Sequence, residues 1–186
     1  MNVAFVVQTF RTICKVPYAG KELGGALQKG EGMLLKQLYE QGHCNLVDGP
    51  LEWKEALLEG IKPLIADGSV DPEYGDCLIE NVEKHGPYIV LMPGVAMPHA
   101  MENARGTNRD AISFMRVKEP VHFEDPANED TDATIFFTLS DTDPDEHLKS
   151  MQRLAQVLSN EEVVERLKKI ESTDELLEID AMVGDE

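Results

Sequence analysis

Apolar residues along this chain follow two different periods, and the change of period divides it. Residues 33–41 read as a short helix. Trp53, Ala56, Leu57, Ile61, Leu64 and Ile65 recur at helical spacing and predict one helix over 51–66, stopped by Asp67-Gly68. Pro72 suits the first turn of a further helix with Asp71 as its cap, and Tyr74, Cys77, Leu78 and Val82 form its buried stripe. The period then shortens. Residues 88–92 form a continuous apolar run of strand length. Residues 111–117 and 133–139 are rich in β-branched or aromatic side chains and read as two more strands. Leu148, Met151, Leu154, Ala155 and Leu158 restore the helical period. Val163, Val164, Leu167 and Ile170 continue it in a second helix, and residues 173–179 form a last short one capped by Ser172 or Thr173. Helices, a group of strands, then helices predict an α/β fold: a mixed β-sheet flanked by α-helices on both faces.

Residues 1–32 stand apart. They hold four basic residues (Arg11, Lys15, Lys21, Lys29) against two acidic ones (Glu22, Glu31), and end in a glycine-rich stretch before Met33. Lys29-Gly30-Glu31-Gly32 can be encoded by a purine-rich tract like a ribosome-binding site. Two readings stand open: an upstream extension with Met33 as the natural start, or a short ordered arm. The expected domain is 33–186.

Charge narrows the function classes. The chain carries 17 Lys+Arg against 35 Asp+Glu, a formal net of -18, which repels nucleic acid and anionic lipid. Cys14, Cys44 and Cys77 are far apart, with no CxxC, so free thiols are expected rather than a disulfide framework or a zinc site. The longest apolar stretch, 88–97, is broken by Pro93 and Gly94 and is too short to span a bilayer. The N-terminus lacks the basic start of a signal peptide. A cytoplasmic protein that meets its partners transiently is the expectation.

Five histidines are candidates for chemistry, and His99 has the most unusual setting. Pro98 fixes its own φ and pushes Met97 to an extended conformation. Gly94 permits a sharp turn out of the preceding strand, and Ala96 and Ala100 are small. The imidazole should therefore sit at a strand end on rigid backbone with an open approach. Neutral imidazole offers a lone pair as a phosphoryl acceptor, and such transfer needs an in-line nucleophile with donors for the equatorial oxygens. His147 is a candidate donor: with Asp143 as N-cap, Pro144 at N1 and Glu146 at N3, it falls in the first turn of a helix. Two ordinary histidines at element ends is the plainer alternative. A metal-dependent hydrolase built on His85, His99 and His147 is disfavoured, because no HxH or HExxH spacing occurs. His43 and His122 are assigned no chemistry. His85, just before Gly86-Pro87, is expected at a helix C-terminus, where the dipole favours it; a supporting role near His99 is the alternative.

The stretch His85-Gly86-Pro87-Tyr88-Ile89-Val90-Leu91-Met92-Pro93-Gly94-Val95-Ala96-Met97-Pro98-His99-Ala100 resembles the active-site signature of enzyme IIA proteins of the phosphotransferase system (PTS). The Gly-x-Ala-x-Pro-His core is shared with the mannitol–fructose class, and Gly-Pro-Tyr-x-Val-Leu-Met-Pro is closer to the ascorbate-like branch. The likeness runs from Met33 to about Ile179. It implies that His99 accepts a phosphoryl group from phospho-HPr and passes it to a cysteine of the cognate enzyme IIB, for uptake of ascorbate or a related sugar, with no metal or organic cofactor. It implies that His147 steadies the phosphoryl oxygens, while Gly94, Pro98 and neighbouring backbone shape the pocket. A regulatory phosphoprotein of the same fold, uncoupled from transport, is the alternative. One departure is plain: members often carry Arg-Pro-Glu after Pro-His-Ala, whereas here Met101-Glu102-Asn103-Ala104-Arg105 follows. Two readings stand: Arg105 takes over the basic role, or no basic residue fills it. Val95, Met97 and Met101 are the expected apolar docking residues around His99. A homodimer is left open.

Overall fold

A computed structural model describes residues 34–101, 104–124, 131–142 and 144–183. Its elements, in chain order, are α1 (Leu34–Glu40), β1 (Cys44–Val47), α2 (Trp53–Gly60), α3 (Lys62–Ala66), α4 (Glu73–His85), β2 (Val90–Met92), β3 (Gly94–Ala96), β4 (Ala111–Val121), β5 (Ala133–Ser140), α5 (Pro144–Ser159), α6 (Glu161–Leu167) and α7 (Glu175–Val183). The five strands form one sheet in the order β1-β4-β5-β3-β2. β1 is parallel to β4, β4 antiparallel to β5, β5 parallel to β3 and β3 antiparallel to β2, so the sheet is mixed.

Alternation along the strands sends side chains to opposite faces, and each face has its own core. On one, Ile112, Phe114, Ile135, Phe137 and Leu139 pack against α1, α5, α6 and α7. On the other, Met115, Val117, Ala133 and Phe136 pack against α2, α3 and α4. Helices therefore cover both faces, as the pattern predicts. A buried carboxylate ties the first helix to the last: Asp180 of α7 accepts the Leu35 N–H of α1 at 2.9 Å. Such a bond satisfies one of the donors a helix start leaves over.

Several boundaries differ from the sequence expectation, each for a local reason. The expected 51–66 helix is two, α2 and α3, joined at Ile61. Pro63 lacks an N–H and its ring crowds the carbonyl four residues back, which breaks the continuous ladder. Asp71 is not the side-chain cap of α4: Pro72 occupies that position in helical conformation, and the Asp71 carboxylate instead accepts from the Asn108 side chain at 3.2 Å. The 88–92 run pairs only from Val90, because residues 86–90 fold into turns closed by Tyr88 N–H to Gly86 and Val90 N–H to Pro87. β4 continues past 117 to Val121 with a shift in register after Arg116. Two strands, β1 and β3, are too short to announce themselves by periodicity.

Cys77 is buried and Cys44 partly so, both as free thiols; Cys14, with all of residues 1–32, lies outside the described residues. Among the described residues, no helix is long and apolar enough to cross a membrane.

Candidate functional site

Pro93-Gly94 turns the chain from β2 into β3, with Gly94 at φ 84, a conformation that glycine adopts without strain. β3 then lies beside β5 and delivers residues 97–101 to the sheet end where β5 finishes. That loop is held at every step. Met97 N–H donates to the Ile89 carbonyl at 2.7 Å, and the Pro98 carbonyl accepts from Leu139 N–H at 2.9 Å. The Tyr88 hydroxyl donates to the His99 carbonyl. Met101 N–H donates at 3.1 Å to Asn81 Oδ1, and the Asn81 amide is fixed by its own bond to the Cys77 carbonyl at 2.8 Å. Tyr74, fully buried in α4, spans from its helix to the Leu139 carbonyl. Partners from α4, β5 and the turn before β2 thus fasten a segment with no regular structure of its own.

The His99 ring is oriented by its own backbone: Nδ1 lies 2.8 Å from the Met97 carbonyl oxygen. A carbonyl can only accept, so Nδ1 carries the hydrogen and, in the neutral ring, the lone pair is on Nε2. Burial pushes the His99 pKa down to about 4; the Met97 carbonyl and Asp141 oppose this, and His147 adds to it. The ring is therefore neutral at physiological pH.

His147 faces His99. Their ring centroids are 5.3 Å apart, with planes inclined by 35°. His147 lies in the first turn of α5, which follows β5 directly. The expected cap Asp143 lies outside the described residues. The connecting turn is held by Asp110, whose carboxylate accepts from the Thr142 N–H and hydroxyl at 2.6 and 2.7 Å. His147 Nδ1 donates at 2.7 Å to Asp141, whose other oxygen accepts from the Ser150 hydroxyl at 2.7 Å. An ionised carboxylate only accepts, so this bond fixes Nδ1 as protonated and leaves Nε2 as the second ring nitrogen for a ligand.

Asp141 is the residue that sequence reasoning missed. Its position at the end of a predicted strand, six residues before a singled-out histidine, was the available signal.

Other expected site residues fall differently. Gly94 and buried Pro98 shape the path to His99 from its backbone side. His85 ends α4, as expected, and is linked to the pair through Tyr88: His85 meets Tyr88 edge-on at 6.3 Å, and Tyr88 meets His99 edge-on at 5.2 Å. Arg105 is engaged by α4, where its guanidinium binds Glu73 at 3.0 Å and Glu80 at 2.9 and 3.0 Å. Val95 and Met97 are fully buried in the core below the sheet end, so they are not docking residues; only Met101 is partly exposed. The open approach expected for His99 is also corrected: the residue is 3% exposed, with Tyr88 and His147 against its ring. Among the described residues, no group of three or more His, Cys, Asp or Glu side chains is placed to hold a metal ion.

A two-histidine pocket on a mixed sheet between two helical layers invites comparison with known proteins. Residues 43–180 match the family model of the phosphoenolpyruvate-dependent sugar phosphotransferase system, EIIA 2. The ascorbate-specific PTS system EIIA component of Shigella boydii is 30% identical over 127 residues, covering 68% of this chain and 81% of that protein. A provisionally assigned PTS IIA domain from Streptococcus pyogenes M1 GAS superposes with a TM-score of 0.71 at 33% identity, covering 82% of this chain and 96% of that one. Enzyme IIA of mannitol from Escherichia coli, solved in complex with phosphorylated enzyme IIB of mannitol, superposes with a TM-score of 0.64 at 26% identity, covering 75% of this chain and 95% of that one. The chain belongs to the EIIA 2 family of the phosphoenolpyruvate-dependent sugar phosphotransferase system.

Proposed function

We propose that this protein is a phosphohistidine carrier in which His99 Nε2 accepts a phosphoryl group from phospho-HPr and passes it to a cysteine of the cognate enzyme IIB. The observation that carries this reading is the bond from His99 Nδ1 to the Met97 carbonyl, together with the burial that keeps the ring neutral. A neutral Nε2 needs no base. As it attacks phosphorus, the nitrogen–phosphorus bond of the donor breaks, and the proton on Nδ1 stays where it is. The Met97 carbonyl then faces the positive charge that the phosphorylated ring acquires.

His147 is the partner for the phosphoryl oxygens. To donate from Nε2 it must carry a second proton, because its first is committed to Asp141. The Asp141 carboxylate compensates that charge, and the arriving phosphoryl dianion faces it from the other side. The pocket would thus bind phosphate and proton together.

The site makes no demand for a metal or organic cofactor, since acceptor and oxyanion donor are both side chains. Likeness to ascorbate-specific relatives favours ascorbate or a related sugar as the transported solute, and the mannitol complex supports an enzyme IIB as acceptor. A partner swap tests the assignment. Phosphorylated protein mixed with the enzyme IIB of an ascorbate system should lose its phosphate to the cysteine. Retention of the phosphate with that enzyme IIB would contradict the transport reading.

A further inference from the structure

Arg116 sits within the sheet, in register with Leu46 of β1 on one side and Ile135 of β5 on the other. Its side chain is 6% exposed. A guanidinium removed from water needs good acceptors, and Arg116 has poor ones. Nη1 donates to the Val47 carbonyl at 3.4 Å and to the Asp48 carboxylate at 3.5 Å, while Nε is buried with no acceptor among the described residues. The Asp48 side chain is 83% exposed, so its carboxylate is hydrated and serves as a weak counter-ion.

This guanidinium lines a solvent-open cleft of about 500 Å³. Lys118, Lys168 and Lys169 line it too, against the carboxylates of Asp48 and Glu171. In a chain with twice as many acidic as basic residues, four cations around one cleft reverse the general charge. Lys168 and Lys169 share a single rim carboxylate, Glu165, at 2.9 and 3.4 Å. The cleft is remote from the histidine pair. Arg116 is level with Ile135, whereas the β5 residue bonded beside His99 is Leu139, four residues and roughly 13 Å further along the strand.

We propose that this cleft is a second ligand site, which takes a small phosphate-bearing anion on the Arg116 fork with the three lysines around it. A planar carboxylate could occupy the fork alone. A phosphate group adds oxygens directed at the lysines, each of which acts as a point donor. The volume exceeds that of a bare phosphate and leaves space for a small organic remainder. Lys168 connects the site to the chain that leads to His99: a Cβ on Gly94 of β3 would lie 2.7 Å from Lys168 Cε. The proposal does not depend on the phosphoryl-transfer reading.

The test is a titration of the full chain with inorganic phosphate at constant ionic strength, followed by NMR. The Arg116 Nε–H resonance and the amides of residues 168–171 report on this cleft, and the amides around His99 and His147 report separately on the other pocket. The expected result is a saturable shift of Arg116 Nε–H and of the amides of residues 168–171, with affinity weakened about tenfold or more in the Lys118→Gln/Lys169→Gln double variant and in Arg116→Met, where the amides alone report it. Asp48→Asn, which removes the competing carboxylate, should tighten binding. These lysines and Asp48 are exposed, so their variants keep the test decisive even if Arg116→Met fails to fold. A second arm uses glycerol phosphate: tighter binding than phosphate identifies an ester as the ligand, and equal affinity identifies free phosphate. No saturable Arg116 Nε–H shift up to about 50 mM phosphate, or affinity unchanged in the lysine double variant, overturns the proposal.

Discussion

His147 donates its Nδ1–H to Asp141 across 2.7 Å, and Asp141 in turn receives the Ser150 hydroxyl from one turn further along the same helix. The carboxylate therefore fixes both the rotation of the ring and its protonation pattern. Replacing His147 with alanine removes the donor proposed for the phosphoryl oxygens and should slow transfer to His99 by about 10²–10³-fold. Asp141→Asn keeps the shape but removes the charge that holds the proton on Nδ1, and should slow transfer less than His147→Ala while leaving the fold intact. Rapid-quench phosphorylation with circular dichroism in parallel checks both. Equal rates for all three proteins would remove His147 from the mechanism.

Protonation of His99 gives a second test. Its pKa lies at about 4 because burial disfavours the imidazolium, so the ring stays neutral above roughly pH 5. The unfolded ring protonates near 6.5. Between those values the unfolded chain binds a proton at this residue and the folded chain does not. The stability linked to His99 is therefore complete above pH 6.5 and is lost as pH falls towards 4. An NMR titration of the His99 Hε1 signal should show a midpoint well below 6. A midpoint at or above 6.5 would mean that the ring is solvated and the pocket is open.

The clamp on the 97–101 loop predicts a separable effect on rate and stability. Tyr88→Phe removes the hydroxyl that donates to the His99 carbonyl, and Asn81→Ala removes the acceptor for Met101 N–H. Each should cost about 1 kcal/mol of stability and should also reduce phosphorylation rate, because the loop that carries the nucleophile loosens. Chemical denaturation and phosphorylation kinetics on the same preparations measure the two together. Full activity with lowered stability would show that the clamp serves only the fold.

How much of this was legible in the sequence follows from the range of each interaction. Runs rich in β-branched and aromatic residues at 111–117 and 133–139 are central strands buried on both faces, so their pattern is strong. Residues 44–47 and 94–96 pair with those strands but are too short to show a period of their own. The pairing of His99 with His147 could be anticipated, because a Pro-His at a strand end and a histidine after Asp-Pro-Asp-Glu each carry a local signal. Asp141 carries only its position, and an aspartate after a strand is ordinary until the fold brings it under His147. Val95 and Met97 read as exposed because β3 is too short to recognise: Val95 lies on it and Met97 directly after it, and residues at an unseen strand look like loop.

Arg105 separates the structure's account from the sequence expectation most sharply. With its guanidinium between Glu73 and Glu80 on the surface of α4, Arg105→Gln should leave phosphorylation within about twofold of wild type and stability within about 0.5 kcal/mol, as for other exposed ion pairs. Phosphorylation kinetics and thermal denaturation of that variant decide the point. A loss of more than tenfold in rate would show that Arg105 swings to the phosphate during transfer.

The central claim is that His99 carries the phosphoryl group. Wild type, His99→Ala and His147→Ala should be incubated with phosphoenolpyruvate, enzyme I and HPr, and the bound phosphate mapped to its residue. The account predicts acid-labile, base-stable phosphate on His99 Nε2 of the wild type, its slower appearance in His147→Ala and its absence from His99→Ala. Phosphate that persists in His99→Ala, or a wild type that takes up none from any HPr, would contradict it.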